Sequence, residues 1–171
     1  MREEEVTKKI LVFLNDEKWK ILSFDFPQSG TGMCFHPDYS TEKNKGSVIP
    51  DIIAQKGNIA VFFENKDRLV LSDFVKQKNF SSELYVHTLD EFCIKNNITN
   101  RYFGIGIPYK PSDDNSISNN EHLIDFVVQV NEHNIIIKYD KYGLFKNSQI
   151  WLFGKQKQKS KKYDYFRYLR F

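Results

Sequence analysis

Two short stretches of this chain carry side chains that could act together on a phosphate ester. Asp51 follows Pro50, and Glu64-Asn65-Lys66 comes after twelve intervening residues, at the end of a hydrophobic run. A pair of carboxylates can hold a hard divalent cation such as Mg²⁺, which takes oxygen ligands and leaves room for water and a substrate phosphate. An ion held this way polarises a phosphoryl oxygen and makes a water a better nucleophile. The Lys66 ammonium could neutralise developing negative charge, or position and deprotonate that water. The chemistry these residue types suit is metal-assisted phosphodiester hydrolysis.

Such chemistry needs the charges to meet, and a hairpin would bring them together. Gly57-Asn58 is a natural two-residue turn, because both residues tolerate the positive φ that tight hairpins require. With the turn centred there, Lys56 faces Ile59 and counting outward sets Asp51 against Glu64. Opposed residues share a sheet face with side chains roughly 5 Å apart. Lys66, two residues beyond Glu64, returns to that face. The Pro50 ring restricts the backbone just before Asp51. A plainer reading also suits these charges: Asp51 ends a strand while Glu64 and Lys66 pair on a solvated hairpin face. Their place directly after Val61-Phe62-Phe63, where burial is expected, favours chemistry.

The flanking pattern predicts the elements that position this hairpin. Residues 4–15 read as a helix, with Val6, Ile10, Phe13 and Leu14 at helical spacing and glutamates at the positive end of its dipole. Residues 19–26 read as a strand ended by Pro27, and 28–45 as a polar loop. Residues 48–53 and 59–63 form the hairpin strands. Ser72 or Asp73 is placed to cap a helix running to about Lys78. Residues 84–86 read as a short strand, and Thr88 with Glu91 as a capping box opening a helix through Lys95. Strands follow at 102–107, 123–130 and 135–139, with 110–120 a polar loop between the first two. The economical architecture is a single α/β domain with some α+β character.

Composition sets the bounds. The chain has 171 residues, 40% hydrophobic and 27% charged, which fits one globular domain with a core. No apolar run is long enough to span a bilayer. The start Met1-Arg2-Glu3-Glu4-Glu5 is too acidic for the usual secretory signal, so a cytoplasmic setting is expected. Cys34 and Cys93 lack metal-ligand spacing and read as free thiols. The segment from Lys155 onward holds seven basic residues and one acid, while the preceding 154 residues hold eighteen basic and twenty-one acidic. A positive tail on a mildly acidic body suits a phosphate backbone, an anionic membrane, or simple solubility.

Pro-Asp, a short gap and Glu-x-Lys on a hydrophobic strand resemble the signature of the PD-(D/E)xK nuclease superfamily, here Pro50-Asp51 and Glu64-Asn65-Lys66. The order of helix, strand, hairpin, helix and further strands over roughly 3–107 is also similar. The resemblance implies a restriction-endonuclease-like core: a central mixed sheet carrying the catalytic hairpin, flanked by helices. It implies Mg²⁺-dependent hydrolysis of double-stranded DNA, leaving 5′-phosphate and 3′-hydroxyl ends. On it, Asp51, Glu64 and the backbone carbonyl of Asn65 hold the metal, and Lys66 assists the water. An acid on the first helix also reaches the site, Glu5 being the best placed and Glu4 the alternative. A chain this small looks most like a compact type II restriction endonuclease, working as a homodimer alongside a cognate DNA methyltransferase that is not a stable partner.

Other features are weaker. Gln28, Ser29, Gly30 and Thr31 could meet DNA through backbone N–H groups, and His36 lies before the hairpin, although an ordinary polar turn explains both. Pro37-Asp38 with Glu42 to Lys45 mimics the signature but lacks the hydrophobic strand. Lys76 and Lys78 suit phosphates or a solvated helix face. Lys157, Lys159, Lys161 and Lys162 in the basic segment 155–171 are candidate DNA contacts. Two alternatives to a restriction enzyme remain: a structure-selective or repair nuclease with the same active site, and a non-enzymatic basic DNA-binding protein.

Overall fold

The computed structural model describes residues 1–26, 29–38, 45–145 and 150–152. Helix α1 (Glu3–Asp16) is followed by strands β1 (Lys20–Phe24), β2 (Ile52–Lys56) and β3 (Ile59–Asn65). Helices α2 (Leu71–Phe80) and α3 (Val86–Lys95) then lead to β4 (Asn100–Pro108). A short helix α4 (Asp114–Asn120) precedes β5 (Phe126–Val130), β6 (Asn134–Asp140) and β7 (Ile150–Leu152). Among the described residues the strands form one seven-stranded sheet in the order β1-β2-β3-β4-β5-β6-β7. The pairs β3/β4 and β4/β5 are parallel and the others antiparallel. The protein is therefore α+β, with a mixed sheet flanked by helices.

Strand alternation divides the core into two layers. On one face Val61, Phe63, Ile52, Phe126 and Val128 pack with Val6, Ile10, Phe13 and Leu14 of α1. On the other, Ile53, Ala60, Phe62 and Phe103 pack with Phe80 of α2 and Leu89 and Phe92 of α3. Phe62 stacks on Phe103 at 5.0 Å between ring centroids and meets Phe35, Phe80 and Phe92 edge-on. Both faces of β3 are thus buried, as expected for a central strand with helices covering both faces of the sheet.

Gly104 and Gly106 of β4 face α1. A Cβ on Gly104 would meet both the ring and the backbone carbonyl of Phe126, and one on Gly106 would meet Asn65 and Ile10. Absence of a side chain at Gly106 lets the first helix lie close to the central strands, and its absence at Gly104 makes room for the Phe126 ring.

Several local expectations give way to tertiary contacts. The strand expected at 84–86 is a 3₁₀ turn, Glu83–Tyr85, running into α3. Thr88 is not the cap of α3: the helix starts at Val86, and the Thr88 hydroxyl donates to the carbonyls of His36 and Tyr85. The side chain at the start of α3 is Asp38, whose carboxylate accepts the His87 N–H at 3.2 Å. Neither Ser72 nor Asp73 caps α2, which begins at Leu71 with both inside its first turn. The polar stretch 110–120 is not a loop. It forms a 3₁₀ turn and α4, held by buried Ile117 against Phe74, Ile105 and Ile107.

The close approach at β4 has a measurable consequence. Gly104→Ala is expected to cost about 1–3 kcal/mol in urea denaturation, since packed ring and backbone must move. Gly57→Ala meets open space but holds φ at 62°, and should cost only about 1 kcal/mol. Equal losses, or a milder one at Gly104, would contradict this packing.

Candidate active site

The hairpin turns where its sequence says it should. Lys56 pairs with Ile59 and Ile52 with Phe63, and Gly57 takes the left-handed conformation. The ladder stops there, however, and Asp51 lies just outside it. Its N–H donates to the Phe63 carbonyl at 2.9 Å, and its Oδ2 accepts the Asn65 N–H at 2.5 Å. Pro50 has no N–H with which to continue pairing. Asp51 is therefore displaced from strict opposition to Glu64, yet its carboxylate is pinned to the residue next to it.

Glu64 is only 2% exposed. One oxygen, Oε1, receives Lys66 Nζ at 2.9 Å and Lys76 Nζ at 2.5 Å. The other, Oε2, is buried without a hydrogen-bond partner among the described residues. Burial, and then the charge of Glu64, push the Asp51 carboxyl up to about 7. Burial alone would lower the Lys66 ammonium, but the charge and hydrogen bond of Glu64, with Asp51 and Glu3 behind them, hold it above its ordinary value. Lys66 therefore stays charged at neutral pH, which suits charge stabilisation better than proton abstraction.

The first-helix acid at this site is Glu3. Its Oε2 lies 3.6 Å from Lys66 Nζ. Glu5 accepts the Arg2 N–H at 2.8 Å and faces Arg2, while Glu4 pairs with Lys8 at 2.5 Å. The helix turns about 100° per residue, so Glu3 shares a face with Thr7 and Ile10. That face packs on the sheet, and Thr7 Oγ1 accepts from Asn65 Nδ2 at 3.0 Å. The buried stripe continuing back to residue 3 was the available sequence signal.

A second acid was also missed. Asp73 is buried on α2, with Oδ2 lacking a partner among the described residues. Burial raises its carboxyl, with Lys66 opposing and Glu64 reinforcing the shift. Asp73, Gln77 and Phe80 form one helical stripe, and Phe80 packs on Phe62, two residues before Glu64. Lys76, read from sequence as either a phosphate contact or a solvated charge, is an ion-pair partner of Glu64.

Among the described residues, the remaining candidates Ser29, Thr31 and His36 make their hydrogen bonds outside this cluster. Asp25 N–H donates to the Asp51 carbonyl at 2.9 Å, so the following turn begins beside the site. Its donors point inward: the Ser29 hydroxyl and the Thr31 N–H donate to Asp25 Oδ1. Burial would raise the Asp25 carboxyl, but these bonds pull it below its usual value. Ser29, Gly30 and Thr31 thus surround a carboxylate rather than form an open anion cradle. His36 Nδ1 lies 2.7 Å from Ser47 Oγ. Gln28, Lys157, Lys159, Lys161 and Lys162 lie outside the described residues. Cys34 and Cys93 are free thiols, and among the described residues no helix is long and apolar enough to cross a membrane.

The chain matches no family model, no curated protein and no solved structure. Among the described residues, no three His, Cys, Asp or Glu side chains converge as a ready-made metal site. A half-buried carboxylate, Asp51, and a buried one, Glu64, with an oxygen lacking a partner among the described residues, suit an ion that completes its shell with water and substrate. Asp51, Glu64 and the carbonyl of Asn65 fit Mg²⁺ in that sense.

Asp51 supplies a test in metal-free protein. Its folded value of about 7 exceeds the ~3.9 of an unfolded chain. The folded state keeps this proton over the intervening range and the unfolded state does not. Stability from this group is therefore complete below about pH 4 and is lost as pH rises through about 7. Asp51→Asn should remove that loss, making the variant more stable than the parent at pH 8 by on the order of 1–4 kcal/mol, with little advantage at pH 4. Urea denaturation with chelator at both pH values reads the difference, and an advantage independent of pH would contradict the assignment.

Proposed function

We propose that this protein is a Mg²⁺-dependent, sequence-specific endonuclease of double-stranded DNA, of the type II restriction kind. The observation that carries the reading is the half-buried Asp51 and the buried Glu64 at one end of a hairpin, with Asp51 Oδ2 accepting the Asn65 N–H and Lys66 2.9 Å from Glu64. The element order, helix, strand, hairpin, helices and then a strand parallel to β3, agrees with the order expected of a PD-(D/E)xK core and supports the same reading.

The residues divide the work. Asp51 and Glu64, with the Asn65 carbonyl, hold the cation. When bound, Mg²⁺ supplies Lewis-acid activation of the phosphoryl group and of a water. Lys66, held charged, positions that water and offsets negative charge developing on the phosphate. Glu3 fixes the Lys66 ammonium from α1. Hydrolysis leaves 5′-phosphate and 3′-hydroxyl ends. A homodimer would present two such sites to the two strands of a palindromic duplex, and a cognate methyltransferase would protect the host's own copies of the sequence.

With Mg²⁺, the protein is expected to cut a sequence-diverse plasmid into discrete, reproducible fragments, and chelator should abolish cutting. Asp51→Asn, Glu64→Gln and Lys66→Ala should each lower the cleavage rate by about 10³-fold or more while retaining duplex binding. Cutting confined to junctions or lesions would replace the restriction reading with a repair nuclease. Binding without any cleavage, unchanged in all three variants, would replace both with a DNA-binding protein.

A further inference from the structure

The arrangement around Glu64 holds more positive charge than hydrolysis by Lys66 requires. Lys66 and Lys76 both reach Glu64 Oε1, yet they are held very differently. Lys66 follows a central strand, its N–H is bonded to the Gly106 carbonyl at 2.9 Å, and its ammonium is also near Glu3. Lys76 is on the rim of α2 with its side chain 44% exposed, and Glu64 is the partner of its ammonium. Lys66 is anchored on several sides, whereas Lys76 is tethered, among the described residues, by the Glu64 contact.

The polar side chains around that contact are short of donors. Glu64 Oε2, Asp73 Oδ2 and Gln77 Oε1 are all buried without hydrogen-bond partners among the described residues. They belong to β3 and to the stripe of α2 that packs against it. These oxygens already lack donors while Lys76 is in place. A dication on Glu64 would supply more charge there than the single ammonium it replaces, and it would favour carboxylate oxygens over an amine. A dication on either oxygen of Glu64 would stand close to the Lys76 ammonium on Oε1, and two positive charges at that range repel.

We propose that Lys76 stands in for the metal ion on Glu64 in the cation-free protein, and moves from Glu64 to a substrate phosphate when a divalent cation takes the carboxylate. The inference rests on the metal-dependent nuclease reading and deepens it, making Lys76 a positioning residue that couples metal entry to DNA engagement. Its half-exposed side chain on the rim of α2 gives the released ammonium a path to solvent and to a phosphate beside the site.

The test uses Mn²⁺ alone as the probe, titrated without DNA and read by electron paramagnetic resonance. Lys76→Met removes the competing charge while keeping the stem, so Mn²⁺ should bind about three- to ten-fold tighter than in the parent. The same variant should bind duplex DNA more weakly in the presence of Ca²⁺, with a salt slope reduced by about 1, and Lys76→Arg should restore that slope. A residue with only a structural role would not move these two affinities in opposite directions. In the parent itself, amine labelling of Lys76 read by mass spectrometry should accelerate on adding Mg²⁺, while Lys138, paired with Asp114 at 2.6 Å, stays unchanged. This second measurement stands even where Lys76→Met does not fold. Unchanged or weaker Mn²⁺ binding in folded Lys76→Met, or Lys76 labelling indifferent to Mg²⁺ in a parent that binds Mn²⁺ and cuts DNA, overturns the inference and leaves the nuclease reading intact. A parent that binds no Mn²⁺ and cuts nothing overturns both.

Discussion

A carboxylate buried at the end of a central strand must be answered by positive charge, and Glu64 imposes that constraint on the whole molecule. Removing such a group from water costs several kcal/mol unless partners compensate. Here the compensation comes from elements far apart in sequence. Lys66 comes from the same strand end, Lys76 from the helix that crosses to β4, and Glu3 braces Lys66 from the opposite face of the sheet. Asp51 adds a second carboxyl, whose proton is retained up to about pH 7 by burial and by Glu64. The site is an excess of acid held in place by a rigid frame.

That frame explains why the cluster does not relax apart. The two aromatic layers lock β2 and β3 between α1 on one side and α2 and α3 on the other. Gly106 lets α1 approach closely enough for Thr7 to bond Asn65. Phe80 on Phe62 sets the registry of α2 along β3, which in turn places Lys76 over Glu64. Each polar contact at the site is the end of a packed apolar row, so its geometry follows from bulk packing rather than from the polar atoms alone.

The hairpin was legible because two local rules agree on it. A Gly-Asn turn and period-two alternation together set Lys56 against Ile59, and the structure keeps that register. The displacement of Asp51 at the ladder's end was not legible, although Pro50 signalled that pairing could not continue. The sequence points to Glu5, with Glu4 as the alternative, whereas the structure turns these to Arg2 and Lys8 and brings Glu3 to Lys66, because which face of α1 docks is a tertiary fact carried only by the buried stripe through Thr7 and Ile10. The cap at His87 comes from Asp38, far back in the chain, so no local pattern contains it. The helix at 114–120 rests on one apolar residue, Ile117, meeting a core that only the folded sheet creates.

The central claim is that Asp51 and Glu64 together form a site for a divalent cation. The most direct measurement is calorimetric titration of Mg²⁺ into the protein at pH 7 in buffers of different ionisation enthalpy, which counts the protons released on binding. With Asp51 near half-protonated there, binding should release about half a proton per ion. Asp51→Asn should abolish the release, and Glu64→Gln the binding itself. Absence of Mg²⁺ binding to the parent, or identical proton release from Asp51→Asn, would contradict the account.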